Sequence, residues 1–421
     1  MMAIYSKNTE KDMDEKITFT FTGDIGFDKY MSDAWKRDDL IDEDVLDFLR
    51  SSDHLIVNVE GPLYDAGVGA AVKQATGSGA GTCNTGSGSA SGAASLIHSM
   101  NPGVGDFLDR IGADIWNINN NHIMDAGPEG LKATLENARS HNVVTIGAGA
   151  NIDEASKPLK FDAAGGIGIV SVGYERACRK AGPDTPGCLN FSDIDIVTDR
   201  IQEVKKTCRY CVVIAHDGEE FTALPSPYTR ERFHKYLESG ADIVVAHHPH
   251  VPMNYETVGD KVIFYSLGNF IFDTDYQRSQ FNTDLGILLK FSFDNEGFKF
   301  EPFFIRIDRE KERVVKGERP LIFENVDAAE YELLSPLAAA MFVENTKKQL
   351  KYLKPDVFEN ASDEDYMKNF YEPLRSGRVP GKLLDFRIVV PLSEKAREAH
   401  WKRSRLEGVK KYMLAQMPSR A

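Results

Sequence analysis

GADIWNINNNHIMDAGPEGLKATLE, residues 112–136, carries the pattern that decides the fold. The short apolar run Ile115–Ile118 predicts a buried strand, and Pro128–His141 predicts an amphipathic helix with proline at its start. Between them lie the polar residues Asn119–His122 and, three residues further on, Asp125. A strand, a polar loop and a helix in this order are typical of one unit of an α/β sheet.

The same alternation continues on both sides of this segment. The apolar runs are short, rich in valine and isoleucine, and bounded by Gly, Asn or Asp, as buried strands usually are. They predict an α/β fold with a mixed or mostly parallel sheet, closed after Asp275 by antiparallel strands. The predicted strands are Ile17–Phe21, Leu55–Val59, Val143–Ile146, Ile167–Val172, Cys211–Ala215, Ile243–Ala246, Val262–Tyr265, Gly286–Asp294 and Phe298–Asp308, and the further helices are Asp44–Arg50, Ile194–Thr207 and Thr229–Ser239.

Composition bounds the class of protein. The chain has 421 residues, of which 42% are hydrophobic and 27% are charged, so it can bury a core and global disorder is excluded. A net charge of −14 argues against nucleic-acid binding, which usually needs a basic surface. No apolar run is long enough to span a membrane, and the N-terminus lacks the apolar core of a signal peptide. These features predict a soluble, cytoplasmic protein.

The five cysteines are too few and too scattered for a disulfide framework. Cys208 and Cys211 form a C-x-x-C pair that leaves a structural zinc site open. The favoured interpretation is that the cysteines are reduced and partly buried thiols.

We predict three parts in the chain. Residues 1–16 form an N-terminal tail, 17–326 the main domain and 327–421 a C-terminal helical extension. Within the main domain, residues 66–94 are dominated by Gly, Ser, Ala and Thr, which predicts a flexible loop, either a lid or a linker. The predicted C-terminal helices are Ala328–Leu353, Asp363–Arg375 and the basic Ser393–Met417, which either binds an anionic partner or docks on the acidic main domain.

The strongest chemical signal is the set of polar residues at strand ends. Six predicted strands end in Asp, Glu, Asn or His, and ligand sites gather at the carboxyl ends of strands in open α/β sheets. Mixed carboxylate, amide and imidazole ligands suit divalent ions such as Mn, Zn, Fe or Mg, and the supply is sufficient for two ions. Two such ions bind an oxyanion and generate a hydroxide nucleophile. The six strand ends lie at Asp24, Asn58–Glu60, Asn119–His122, His216–Glu220, His247–His250 and Ser266–Asn269.

Seven sequence blocks together resemble the pattern of a known protein family. In this order, over roughly Ile17–Asp308, they resemble the bacterial capsule-synthesis CapA (poly-γ-glutamate, PGA_cap) family of the calcineurin-like metallophosphoesterase superfamily. The resemblance implies a four-layer αββα sandwich with a two-metal site at the strand ends, and it does not extend to residues 66–94 or to the C-terminal helices. The blocks are TGDIGFD, DHLIVNVEGPL, GADIWNINNNHIMDAGPEGLKATLE, IGAGANIDEA, VVIAHDGEE, GADIVVAHHPHV and KVIFYSLGNFIF.

The resemblance also implies roles for individual residues. His122 matches the catalytic histidine that stabilises the transition state or protonates the leaving group. Gly26 stands where the wider superfamily has a histidine, and Asp217 stands where this branch often has tryptophan. The implied metal ligands are Asp24, Glu60, Asn121, His216, His248 and His250, and the implied substrate-binding or ligand-orienting residues are Asn58, Asp125, Glu220, His247 and Asn269.

The implied function is a metal-dependent hydrolase of a phosphoester or γ-glutamyl amide, linked to the synthesis of poly-γ-glutamate or another capsule polymer. Its expected partners are an anionic substrate or polymer and other capsule-synthesis proteins. The alternative is a non-catalytic accessory subunit that binds an anionic polymer or a synthetase. His54, His98, His141, His234 and His400 lie outside the strand-end clusters and are given no role.

Overall fold

The computed structural model describes residues 16–65, 98–173, 178–222, 224–334, 351 and 359–362. The α-helices within these ranges are α1 (Glu43–Arg50), α2 (Val104–Arg110), α3 (Gly127–Ser140), α4 (Ile152–Ala155), α5 (Ile194–Thr207), α6 (Pro227–Ser239) and α7 (Asp275–Arg278). The strands are β1 (Ile17–Gly26), β2 (His54–Val59), β3 (Ile115–Asn117), β4 (Val144–Ile146), β5 (Ala148–Gly149), β6 (Leu159–Phe161), β7 (Ile167–Gly173), β8 (Gly187–Cys188), β9 (Tyr210–His216), β10 (Ile243–His247), β11 (Tyr255–Val258), β12 (Lys261–Phe264), β13 (Asn269–Phe272), β14 (Leu285–Phe293), β15 (Phe298–Asp308) and β16 (Arg313–Lys316).

The larger sheet has eight strands, four from Ile17–Ile146 and four from Asn269–Lys316. Its order is β16-β15-β14-β1-β2-β3-β4, and β13 pairs with β1 beyond the end of β14. Strands β1 to β4 are parallel, whereas β14, β15 and β16 run antiparallel to their neighbours. The mixed sheet and its antiparallel closure are therefore confirmed.

The second sheet has six strands in the order β11-β12-β10-β9-β7-β6. The four central strands are parallel, and the edge strands β11 and β6 are antiparallel. Strands β9 and β10 are buried along their whole length. Continuous burial is typical of parallel strands that are covered on both faces, and it explains their near-unbroken runs of valine, isoleucine and alanine.

Alternate residues along the strands belong to different hydrophobic clusters. Phe19 and Phe21 of β1 share one cluster with Val212 of β9 and Val245 of β10, so the two sheets contact each other through it. Val57 of β2 belongs to a second cluster that includes residues of α1 and α2. A third cluster joins the remaining face of β9 and β10 to α5 and α6. The period of two in each strand thus decides which side chains face the other sheet and which face helices.

The helices follow from local sequence. Helix α5 buries Val197, Ile201 and Val204, a spacing that places three side chains on one face. Helix α6 begins after Ser226, whose side chain accepts from the Thr229 backbone N–H, and proline occupies its first turn. Among the residues that the structure describes, no helix combines the length and apolar character that a bilayer crossing requires.

Several predictions fall on residues outside the described ranges. These are the tail before residue 16, the glycine- and serine-rich stretch 66–94 and the helices beyond residue 362. Residues 328–334 are helical, as the start of the first predicted C-terminal helix requires. The side chains of Tyr331 and Leu334 are buried, and the Tyr331 hydroxyl donates to the Pro225 carbonyl over 2.8 Å. The described residues of this helix therefore pack on the main domain.

Candidate metal centre

Strand register brings the polar residues of the eight-stranded sheet together. Asp24 of β1 pairs with Asn58 of β2 on one side and with Asn269 of β13 on the other, and Asn58 pairs with Asn117 of β3. Glu60 follows β2 directly, and its backbone N–H donates to the Ile25 carbonyl. One edge of this sheet thus presents two carboxylates and three amides.

A glycine beside Asp24 makes this register possible. A Cβ atom on Gly23 would lie 2.2 Å from the Gly268 carbonyl oxygen, so only glycine lets that chain approach. The same carbonyl accepts from the Asp24 backbone N–H over 3.0 Å. The Gly-Asp pair therefore fixes the position of Asp24 through its backbone.

The six-stranded sheet supplies the histidines. His216 ends β9 and pairs in register with His247 at the end of β10. His248 and His250 follow in a loop, and their φ angles are 95° and 58°. Residues other than glycine rarely adopt positive φ, and such strain is concentrated at functional sites. This unusual backbone conformation directs both imidazoles toward the eight-stranded sheet.

Two groups of three side chains result, and Glu60 belongs to both. Asp24, Glu60 and His250 each offer one ligand atom, and these atoms lie within 4.8 Å of one another. Glu60, His216 and His248 meet the same condition. All five side chains are buried. Among the described residues these are the only groups of this kind, and neither contains a cysteine, so Cys208 and Cys211 form no such group.

The distances inside the two groups suit ligands of a shared site. His250 Nε2 lies 3.5 Å and His216 Nε2 3.8 Å from Glu60 Oε1. His250 Nδ1 lies 3.3 Å from Asp24 Oδ2 and also donates to Asn269 Oδ1 over 3.0 Å. Both oxygens of Glu60 are buried and accept no hydrogen bond in the structure. A buried carboxylate without a hydrogen bond is costly unless a cation compensates it.

The remaining predicted residues surround these groups. Asn121 Oδ1 lies 2.7 Å from His216 Nε2, within the reach of a ligand shared with that histidine. His247 Nδ1 lies 3.3 Å from Asp24 Oδ1. Glu220 Oε1 lies 4.0 Å from His248 Nε2, with its side chain partly exposed. The structure thus brings every predicted site residue to one edge of the two sheets.

A chain of side-chain hydrogen bonds that leads to the six-stranded sheet fixes Asp24. The Asn58 side-chain amide donates to Asp24 Oδ1 over 2.8 Å, and Asn117 donates to Asn58 Oδ1 over 2.7 Å. Ser171, in the six-stranded sheet, then donates to Asn117 Oδ1 over 2.6 Å. Sequence analysis missed Asn117, because an asparagine inside a strand gives no sign of the direction in which its side chain points.

His122 stands at the rim with Asp125. Its Nδ1 donates to Asp125 Oδ2 over 2.7 Å, and the two side chains are 16% and 19% exposed. Burial lowers the pKa of His122, against the opposing effect of the hydrogen bond to Asp125. With Nδ1 bound to the carboxylate, Nε2 is the nitrogen available for a reacting group.

Burial and charge shift the ionisation of the central groups in different directions. Burial raises the pKa of Glu60 well above its usual value. Burial lowers the pKa of both His216 and His248, which favours the neutral form that a metal ligand requires. Burial also opposes the charged form of His250, but the Glu60 and Asp24 carboxylates outweigh it and raise its pKa to about 10. Glu60, Asp24 and His250 therefore form one electrostatically linked group at the place where a metal ion would lie.

Sequence comparison places these residues in a known family pattern. Residues 18–274 match the family model described as bacterial capsule synthesis protein PGA_cap. The chain is 31% identical over 274 residues to the PGA biosynthesis protein CapA of Bacillus subtilis, covering 63% of this chain and 66% of that protein. It is 26% identical over 285 residues to the capsule biosynthesis protein CapA of Bacillus anthracis, covering 63% of this chain and 62% of that protein.

A more distant relative carries a different description. The chain is 24% identical over 218 residues to a probable polyglutamine synthesis accessory protein of Mycobacterium tuberculosis, covering 46% of this chain and 54% of that protein. The chain spans less than two thirds of the length of each of these three relatives.

Proposed function

The chain belongs to the PGA_cap family of bacterial capsule synthesis proteins, and on that premise we propose that it is a metal-dependent hydrolase in capsule-polymer synthesis. The proposed substrate is a γ-glutamyl amide or a phosphoester. The names of two relatives, PGA biosynthesis protein and capsule biosynthesis protein, support the polymer context.

The observation that carries this proposal is the shared position of Glu60. It is buried, its two oxygens accept no hydrogen bond, and it belongs to both groups of potential ligands. A carboxylate in this situation fits the bridging ligand of two divalent ions. We propose that Asp24, Glu60 and His250 hold one ion, and that Glu60, His216, His248 and Asn121 hold the other.

The charge balance supports an anionic substrate. Two divalent ions bring four positive charges, whereas Asp24 and Glu60 bring two negative ones and the other proposed ligands are neutral when metal is bound. The site then keeps a positive charge in a protein whose net charge is −14. This positive charge attracts an anionic group of the substrate to the metal centre.

The protein's own residues would assist as follows. Bound divalent ions supply activation of water and neutralise negative charge. His122, held at Nδ1 by Asp125, would exchange a proton with the leaving group through Nε2. Asn58 and His247 would keep Asp24 in place, while Glu220 and Asn269 would contact substrate or orient ligands.

We also propose a four-layer αββα sandwich of the calcineurin-like metallophosphoesterase type. The cluster shared by the two sheets, with helix-bearing clusters on their other faces, supports this arrangement. The proposed main domain covers residues 17–326. Because Tyr331 packs against Pro225, we propose that the helical residues 328–334 are stabilised by this domain, although they begin the C-terminal extension.

The second candidate is a non-catalytic accessory subunit that binds an anionic polymer or a synthetase. The name of the mycobacterial relative, probable polyglutamine synthesis accessory protein, favours it. The two candidates differ in what each requires of the site. A hydrolase needs bound metal and His122, whereas an accessory subunit needs only a binding surface.

Metal content tests the proposal directly. Elemental analysis of protein purified without chelator or nickel affinity should give about two transition-metal ions per chain. Asp24→Ala and His248→Ala should each lower this value, while His54→Phe, at the opposite end of β2, should not. Loaded protein should then be assayed with bis-p-nitrophenyl phosphate and γ-glutamyl p-nitroanilide. Failure to take up added Mn or Zn would contradict the hydrolase and leave the accessory subunit.

A further inference from the structure

His98, which the sequence analysis set aside, lies against the proposed catalytic histidine. The centroids of the His98 and His122 rings are 4.1 Å apart, and the ring planes are inclined by 81°. This edge-to-face contact is closer than any other contact between two rings in the part of the chain that the structure describes.

The His98 ring is itself held from two sides. Its Nδ1 donates to Asp28 Oδ2, and its side chain is only 11% exposed. The Phe272 ring lies 5.3 Å away on another side. The same phenylalanine prevents a side chain at position 26, because a Cβ atom on Gly26 would lie 2.4 Å from it. The His98 ring is therefore held in one orientation beside His122.

His98 and His122 also share one carboxylate oxygen. Asp125 Oδ2 accepts from the His98 backbone N–H over 2.9 Å and from His122 Nδ1 over 2.7 Å. The backbone of residue 98 thus orients Asp125, while its ring limits the rotation of His122. His98 thus constrains the His122 ring in two ways, through Asp125 and by direct ring contact.

We infer that His98, anchored by Asp28, is a positioning residue that fixes the His122 ring plane and so aims Nε2 at the reacting group. This inference rests on the proposed function, because it assigns His122 a reacting group to face. A misplacement of about 1 Å in a catalytic group can reduce turnover by about a hundredfold. The contact therefore has a measurable consequence.

The structure offers a matched control for this pair. His54 Nδ1 donates to Asp114 Oδ2 over 2.6 Å, and its ring stacks on Phe19 with centroids 5.1 Å apart. This second buried histidine–aspartate pair lies at the start of β2, at the edge of the sheet opposite the candidate metal centre. His54→Phe removes a comparable hydrogen bond without touching His122.

The kinetic test uses the full-length, metal-loaded chain with either chromogenic substrate named above. His98→Phe and Asp28→Asn should each lower kcat about tenfold to a hundredfold, change KM less than about threefold and retain the bound ions. The double variant should lower kcat no further than either single variant does. In a His122→Ala background, His98→Phe should leave the residual kcat unchanged. An unchanged kcat, or a loss that persists without His122, would overturn the inference.

A second readout needs no turnover. The ¹⁵N signals of the His122 ring should shift or broaden in His98→Phe and Asp28→Asn, and should stay in place in His54→Phe. If the wild type hydrolyses neither substrate, the proposed function fails, and these signals still decide the inference about His98. Unchanged His122 signals in both variants would overturn it.

Discussion

Glu60 differs from the other potential ligands because it belongs to both groups of three. Replacing it by glutamine should therefore abolish binding of both ions. Replacing His250 or His216 removes a ligand from one group only, so each of these alanine variants should retain about one ion. Elemental analysis and titration with Mn or Zn would measure this difference. Retention of one ion by Glu60→Gln would contradict a bridging role.

Glu256 is a buried acid whose role is structural. It accepts from Arg230 Nε over 2.9 Å, from the Tyr265 hydroxyl over 2.7 Å and from His234 Nε2 over 3.1 Å. Burial opposes ionisation, but these hydrogen bonds and the Arg230 charge outweigh it and lower the pKa of Glu256 to about 2. The ionised carboxylate therefore stabilises the fold.

This shift predicts a pH dependence of stability. A lowered pKa in the folded state stabilises the protein above the unfolded pKa, near 4.5, and the gain is lost as pH falls toward about 2. Glu256→Gln should thus lower the free energy of unfolding by about 3 kcal/mol at pH 7, and the difference should shrink below pH 5. Chemical denaturation at several pH values would measure it, with the exposed Glu301→Gln as control. A difference independent of pH would refute this account.

At the level of strands and loops, Gly23 gives the clearest prediction. A methyl group there meets the Gly268 carbonyl, which is backbone and cannot rotate away. Gly23→Ala should destabilise the protein by about 2–4 kcal/mol and displace Asp24, with loss of metal. Gly297 is the control, because no atom lies within 4 Å of its Cβ position. Thermal denaturation and metal content would check both variants, and equal effects would contradict the argument.

Strands and helices with strong periodicity could be predicted from the sequence. The prediction for α5, Ile194–Thr207, agrees with the structure at both ends. Short elements such as β5, β6 and β8 were missed, since two or three residues carry no period. The strand ends that carry Glu60, His216 and His248 could also be predicted. Two others were wrong, because Asp24 lies inside β1, which continues to Gly26, and Asn269 begins β13. The role of His98 could not be predicted, because its place beside His122 depends on Asp28 and Phe272, both distant in sequence.

For the whole molecule, the proposed ligands come from both sheets. Asp24 lies in the larger sheet and Glu60 directly follows one of its strands, whereas His216 ends a strand of the smaller sheet and His248 and His250 follow another. Bound metal should therefore stabilise the folded chain as a unit. At a hundredfold excess over Kd each bound ion contributes about 2.7 kcal/mol, which raises the Tm of a domain of this size by roughly 4 °C. A chelator should reverse the rise, and Glu60→Gln should show none. A rise in that variant would indicate binding elsewhere.

The joining of two sheets at the candidate metal centre also has a consequence during synthesis. Asp24 contacts the backbone of His248, 224 residues further along the chain. A ribosome must therefore complete and release the strands of both sheets before the ligands can meet. The nascent chain cannot capture an ion at this centre while only its first half exists. Metal acquisition would then mark the end of folding, and a cell short of the correct ion would accumulate finished but empty protein.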